Sequence, residues 1–201
     1  MAYNPKDYFF QKAKAQNYAA RSIFKLEEID QRFKILKPGF NVLDLGAAPG
    51  SWSQYASKKV GPKGRVLGID LAPIKLTLPN AIFVVADLRN DPLDKIIGQH
   101  TSQGSITLPF DVVLSDMAPK TTGIRVTDQT RSVELCELAL DIAKQFLRPN
   151  GTFVCKLFHS EEFEGFRNSL KLLFDRVEVL RPKSTRKESK EIFFICLSFR
   201  T

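Results

Sequence analysis

VLDLGAAPGSW, residues 42–52, is an apolar run that breaks into a turn of small residues. Gly46, Ala47, Ala48 and Gly50 leave the end of a predicted strand, Asn41–Leu45, almost free of side-chain bulk, so a ligand can come against the main chain there. An open α/β sheet places its ligands at this kind of strand end. Pro49 removes an amide donor that a pyrophosphate would use, and Ala48 breaks a GxGxxG pattern, so a nicotinamide oxidoreductase is the least supported enzyme class.

Working outward, near-continuous apolar runs predict further buried parallel strands at Arg65–Asp70, Ala81–Val85, Phe110–Ser115 and Thr152–Leu157, alternating with helical patterns. The clearest helix spans about Asp128–Phe146 and is stopped by Pro149-Asn150-Gly151; another lies near Glu161–Phe174. Arg176–Leu180 and Ile192–Phe199 read as an antiparallel hairpin closing the sheet, joined by the basic segment RPKSTRKESK. Gln99–Pro109 is the one expected long loop. At 201 residues, one domain is expected, with a sheet core over residues 41–201. Residues 1–40 form a basic, aromatic N-terminal extension with a helix around Arg21–Phe33, ended by Lys37-Pro38-Gly39.

The second strand ends at Asp70, where a carboxylate typically accepts hydrogen bonds from a ribose diol, and the third leads into Asp87-Leu88, a candidate adenine pocket. Each acid alone also fits a helix cap or turn former; their order on successive strands favours an adenosine ligand. Trp52 either meets that ligand or anchors the following helix.

Thirty Lys and Arg against 22 Asp and Glu give a net charge of +8, which favours a polyanionic partner, nucleic acid first. The 43% hydrophobic content excludes a disordered chain, and apolar runs such as Ile192–Leu197 are too short to cross a bilayer. The N-terminus carries no signal-peptide pattern, so the cytoplasm is the expected compartment. Cys136, Cys155 and Cys196 are widely spaced without a CxxC pair, and only two histidines are present, so neither a disulfide framework nor a metal site is expected.

Six blocks in order, RSIFKLEEID (21–30), VLDLGAAPGSWSQY (42–55), GID (68–70), DVVLSDMAP (111–119), GTFVCKLF (151–158) and RPKSTRKESKEIFF (181–194), resemble the FtsJ/RrmJ-type S-adenosylmethionine-dependent RNA 2′-O-ribose methyltransferases, above all their bacterial large-subunit ribosomal RNA members. The resemblance implies a Rossmann-like, seven-stranded, mostly parallel sheet with an antiparallel C-terminal strand and helices on both faces. It implies a Lys25, Asp116, Lys156, Glu191 tetrad with Lys156 as proton acceptor, and cofactor contacts at Gly46, Ala47, Gly50, Trp52, Asp70, Asp87, Leu88 and Asp116. Ser51, where relatives often have a second glycine, and the APKTTG loop depart from the family's pattern.

The implied activity is methyl transfer from S-adenosylmethionine, leaving S-adenosylhomocysteine, to large-subunit ribosomal RNA, at a uridine in the peptidyl-transferase region. A transfer RNA or messenger RNA cap methyltransferase and a non-catalytic ribosome-assembly factor are the alternatives. Such a transfer needs alignment and desolvation rather than a metal. Burial or Lys25 would favour a neutral Lys156 acting as a base, whereas Asp116 and Glu191 would favour a charged one that orients the hydroxyl. Lys12, Lys14 and Arg21, among Phe9, Phe10 and Tyr18, and Arg181, Lys183, Arg186 and Lys187 in the hairpin are candidate RNA contacts, with the aromatics available to stack on unpaired bases. A monomer bound to the ribosomal subunit is the expected state.

Overall fold

A sheet of seven strands organises the computed structural model, which describes residues 8–200. The elements follow as α1 (Tyr8–Ala15), α2 (Ile23–Phe33), β1 (Asn41–Leu45), α3 (Ser51–Val60), β2 (Arg65–Asp70), β3 (Ala81–Val85), α4 (Leu93–Ser102), β4 (Phe110–Ser115), α5 (Arg125–Phe146), β5 (Leu147–Phe158), α6 (Phe163–Leu173), β6 (Phe174–Leu180) and β7 (Glu191–Phe199). The strand order is β3-β2-β1-β4-β5-β7-β6, with β7 antiparallel to both its neighbours and the other pairs parallel. Chain direction across the sheet reverses between β1 and β4. That switch opens a crevice at their carboxyl ends, beside Gly46 and Asp116.

The apolar runs are continuous because successive residues feed two cores on opposite faces of the sheet. Val42, Val66, Val112, Leu114, Val154 and Phe193 pack with α1, α2 and α3. Leu43, Leu67, Val113, Phe153 and Cys155 pack with α4, α5 and α6. This is the helix-on-both-faces architecture expected of the sequence.

The structure departs from expectation in details. The hairpin closes the sheet as expected, but the order of its strands has no sequence signal: β7 lies inside and is buried over most of its length, while β6 is half-exposed and takes the edge. Helix α4 occupies the first part of the expected 99–109 loop, because Leu93 and Ile97, one turn apart, reach the core. β5 starts five residues early, at Leu147. Its Pro149-Asn150-Gly151 interruption is absorbed by a left-handed Asn150 (φ 59°) and a register shift against β4 between Phe110 and Val112.

One buried acid fixes the N-terminal helix layer. Asp30, 2% exposed on α2, accepts hydrogen bonds from Leu36 N (2.9 Å) and Tyr55 Oη (3.0 Å) and lies 3.4 Å from Lys59 Nζ. Burial and the neighbouring Asp30 carboxylate hold the Tyr55 hydroxyl well above its ordinary pKa, so it remains a donor. Asp30→Ala leaves these donors unpaired. It should cost about 2–3 kcal/mol and lower the midpoint of thermal unfolding by about 5–10 °C, as followed by circular dichroism.

Candidate active site

Four charged side chains meet in two short ion pairs at the carboxyl edge of the sheet. Lys156 Nζ on β5 lies 2.9 Å from Asp116 Oδ1, just past β4, and donates to the Asp116 main-chain oxygen at 2.6 Å. Lys25 Nζ on α2 lies 2.8 Å from Glu191 Oε1 at the start of β7. Their side chains are 6% to 16% exposed, so neither is a solvated surface pair. Strand register joins the two. Lys156 stands opposite Phe193 and Phe158 opposite Glu191, so Lys156 and Glu191 are diagonal neighbours on one face.

Lys25, Lys156 and Glu191 line a cleft of about 600 Å³ whose walls also carry Arg21, Arg125 and Arg186. The structure therefore brings together all four residues of the implied tetrad, beside a concentration of positive charge.

The other half of the crevice is acidic. A Cβ on Gly46 would run into Met117 Cγ, and one on Gly50 (φ +104°) into Leu76 Cδ1, so only glycine lets these segments close on the turn. Asp70 accepts from Ala48 N (2.9 Å) and Ala72 N (2.8 Å), pinning the turn to the end of β2. Asp44, the next-to-last residue of β1, is 1% exposed and accepts from Ser53 Oγ at 2.6 Å, while its Oδ1 is buried without a hydrogen-bond partner. Burial, then the charges of Asp116 and Asp70, push its pKa up to about 7. An orphaned carboxylate oxygen and three acids around a glycine cradle suit a cationic ligand that also carries hydroxyl and amino donors.

The remaining expected ligand contacts also have partners within the fold. The Trp52 indole is buried, tilted on Phe193 at 5.7 Å, and its Nε1 donates to Ser22 O at 2.9 Å. What remains to Trp52 is a main-chain N–H in the first turn of α3, where helices leave such donors unpaired. Asp87 serves its own turn, accepting from Arg89 N (2.9 Å) and Asn90 Nδ2 (2.7 Å), and these bonds lower its pKa. Leu88 packs against the core. Ser51, the departure from the family's pattern, shares a 2.8 Å hydrogen bond with Ser22 Oγ. Ser22 thus ties the start of α2, and with it Lys25, to the first two residues of α3.

The basic segments divide as well. Arg181 Nη2 donates to the carbonyls of Arg186 (3.3 Å), Lys187 (3.0 Å) and Ser189 (2.8 Å), so it organises the loop. Glu28 Oε2 on α2 accepts from Lys183 N at 2.7 Å, and Arg21 donates to Ser184 O, docking the loop on the helix. Burial, then the charge of Arg186, lowers the Arg21 pKa. Phe9 and Tyr18, read as base-stacking groups, instead pack on Phe24 at 5.5 and 6.4 Å, and Lys12 sits 4.4 Å over the same ring. Lys14, Lys183 and Lys187 are exposed.

Asp44, Ser22 and Arg125 were not singled out from sequence. A carboxylate inside an apolar parallel strand, and a cation opening a helix, were the available signals for the first and last.

The fold and this crevice define the class: Rossmann-like methyltransferases. A ribosomal RNA methyltransferase from Plasmodium falciparum superposes with a TM-score of 0.80, at 26% identity over 90% of this chain and 98% of its own. Aeropyrum pernix fibrillarin, solved with natively bound S-adenosyl-L-methionine, shares the fold at a TM-score of 0.59 and 17% identity, over 81% of this chain and 68% of its own. More narrowly, the chain belongs to the FtsJ-like methyltransferase family, which matches residues 18–199. It is 62% identical over 198 residues to the ribosomal RNA large subunit methyltransferase E of Bdellovibrio bacteriovorus, covering 98% of this chain and 99% of that one. With the protein of the same name from Syntrophobacter fumaroxidans it is 48% identical, covering 100% and 99%.

Two outcomes check the roles of Asp44 and Arg181. With its pKa raised to about 7 in the fold, Asp44 keeps a proton that the unfolded chain has already lost. Its contribution to stability is therefore full below about pH 4 and lost as pH rises through about 7. Asp44→Asn should flatten this slope and gain on the parent chain at pH 8 relative to pH 5 in urea unfolding. Arg181→Ala should raise amide hydrogen exchange across residues 182–190 and leave exchange in β5 unchanged.

Proposed function

We propose that this chain transfers a methyl group from S-adenosylmethionine to a ribose 2′-hydroxyl of large-subunit ribosomal RNA, at a uridine in the peptidyl-transferase region. Two nearly buried acid–base pairs on the wall of a basic cleft carry the reading, and the names of the close relatives support the choice of RNA. S-adenosylmethionine supplies, when bound, an electrophilic methyl group on a sulfonium. Gly46, Ala47 and Gly50 admit it to the main chain, Asp70 and Asp87 offer acceptors to its ribose and base, and Asp44 and Asp116 complement its charge.

The chain's own task is to hold and deprotonate the hydroxyl. Lys156 donates to the Asp116 main-chain oxygen and pairs with its carboxylate, which leaves it donors to fix the direction of the hydroxyl lone pair from the cleft wall. The hydroxyl proton becomes strongly acidic as its oxygen bonds to carbon, so a strong base is unnecessary. The Lys156–Asp116 pair together, rather than lysine alone, accepts that proton. Lys25 and Glu191 position the ribose and hold β7 against Lys156. S-adenosylhomocysteine leaves after transfer, and no metal is called for, since the donor is already cationic and the acceptor neutral. The expected setting is the cytoplasm, with a monomer acting on the large subunit; among the described residues no helix is long and apolar enough to cross a membrane.

The test is transfer of labelled methyl to unmodified large subunits, naked ribosomal RNA and transfer RNA in parallel, with mapping of the labelled nucleotide. Label on one large-subunit ribose is expected. Label on transfer RNA alone would move the substrate, and cofactor binding without label would favour an assembly factor. Lys156→Ala should lower turnover by about 10³-fold while cofactor binding by calorimetry stays within about twofold of the parent. Glu191→Gln should lower it less, since it acts through Lys25.

A further inference from the structure

The acceptor cleft does not end at the tetrad. Arg125, the first residue of α5, and Gln129, one turn on, also line a second cavity of about 440 Å³. Val126, His159, Glu161 and Glu162 complete much of its wall. These side chains are exposed and differ in kind from those of the tetrad, pairing an apolar and an imidazole surface with two carboxylates.

Arg125 makes no hydrogen bond or ion pair that satisfies its guanidinium among the described residues, and it opens a helix, where the backbone dipole disfavours a cation. Its placement therefore costs stability without an intramolecular return, as expected of a group kept for an anionic ligand. The wall that carries it is tied together by hydrogen bonds. Asp128 accepts from Thr122 N (2.7 Å), Thr122 Oγ1 (2.9 Å) and Gly123 N (3.2 Å), and these bonds lower its pKa and fix the turn into α5. Gln129 Nε2 donates to His159 O at 2.5 Å, and His159 N to Lys190 O at 3.0 Å, linking α5, the end of β5 and the basic loop. His159 in turn stands edge-on to Phe163 at 5.1 Å.

We propose that this second cavity receives the nucleobase adjacent to the target ribose, with Arg125 on the phosphate between the two nucleotides. The proposal rests on the RNA methyltransferase reading above. Val126 and His159 supply the surface on which a splayed base can lie. Glu161 and Glu162, acceptors only, select a base with an exocyclic amino group. Guanine fits best, through adjacent N1–H and N2–H₂ donors. Uracil fits worst, because two carbonyl oxygens flank its single N–H and face the carboxylates.

The test measures methyl transfer and RNA binding on large-subunit RNA in which each neighbour of the mapped target is replaced in turn by the other three bases. At one neighbour, uracil should raise KM by about tenfold with kcat held, and the Glu161→Gln, Glu162→Gln double variant should reduce that discrimination to under about threefold. Arg125→Ala should raise KM by about tenfold on every RNA and reduce the salt dependence of binding by about one phosphate contact; Arg125→Lys should restore the salt dependence. Unchanged KM and salt slope in Arg125→Ala, or equal KM for all four bases at both neighbours, would overturn the proposal. A parent enzyme that labels no ribosomal RNA would instead overturn the reading beneath it.

Discussion

The antiparallel register between β5 and β7 is the constraint on which the site depends. Opposite faces of a strand alternate residue by residue, so a slip of one position would turn Glu191 away from Lys156 and send Phe193 out of the core. The register is held by burial: Phe193, Phe194, Ile195 and Cys196 have no exposed surface and divide between the two cores. Apolar packing, rather than the ions themselves, thereby sets the distance between two costly, nearly buried charges. The ion pairs contribute geometry more than stability, since desolvation offsets most of their attraction.

Charge is partitioned across the crevice. Asp44, Asp70 and Asp116 gather where a cation would lie, and Arg21, Arg125 and Arg186 gather where a phosphate chain would lie. Asp116 stands on the border, repelling Asp44 on one side and binding Lys156 on the other.

Much of this was legible from residues because a doubly wound sheet writes its strands as apolar runs. Asn41–Leu45, Arg65–Asp70, Ala81–Val85 and Phe110–Ser115 begin and end where the pattern places them. The residues of the implied tetrad could be named only through the resemblance, although Asp116 and Lys156 also stand toward the ends of apolar runs. What stayed hidden depends on contacts between distant residues. The hydrogen bonds of Ser22 to α3 and of Arg181 to its own loop leave no periodic trace, and neither did the choice of β7 over β6 for the interior. Aromatic residues near basic ones invited a stacking role for Phe9 and Tyr18, yet Phe24 was the nearer surface.

The pairing of Lys25 with Glu191 joins the second helix of the chain to its last strand across most of its length. During synthesis, the segment that supplies Lys25 emerges early and waits for β7. Until then β5 offers an unpaired edge, and the cleft lacks one wall. A chain still being made therefore has no complete acceptor site, however well its first sheet half has folded. Completion of the site waits on β7, which gives β5 its second strand partner and, among the described residues, gives β6 its one partner.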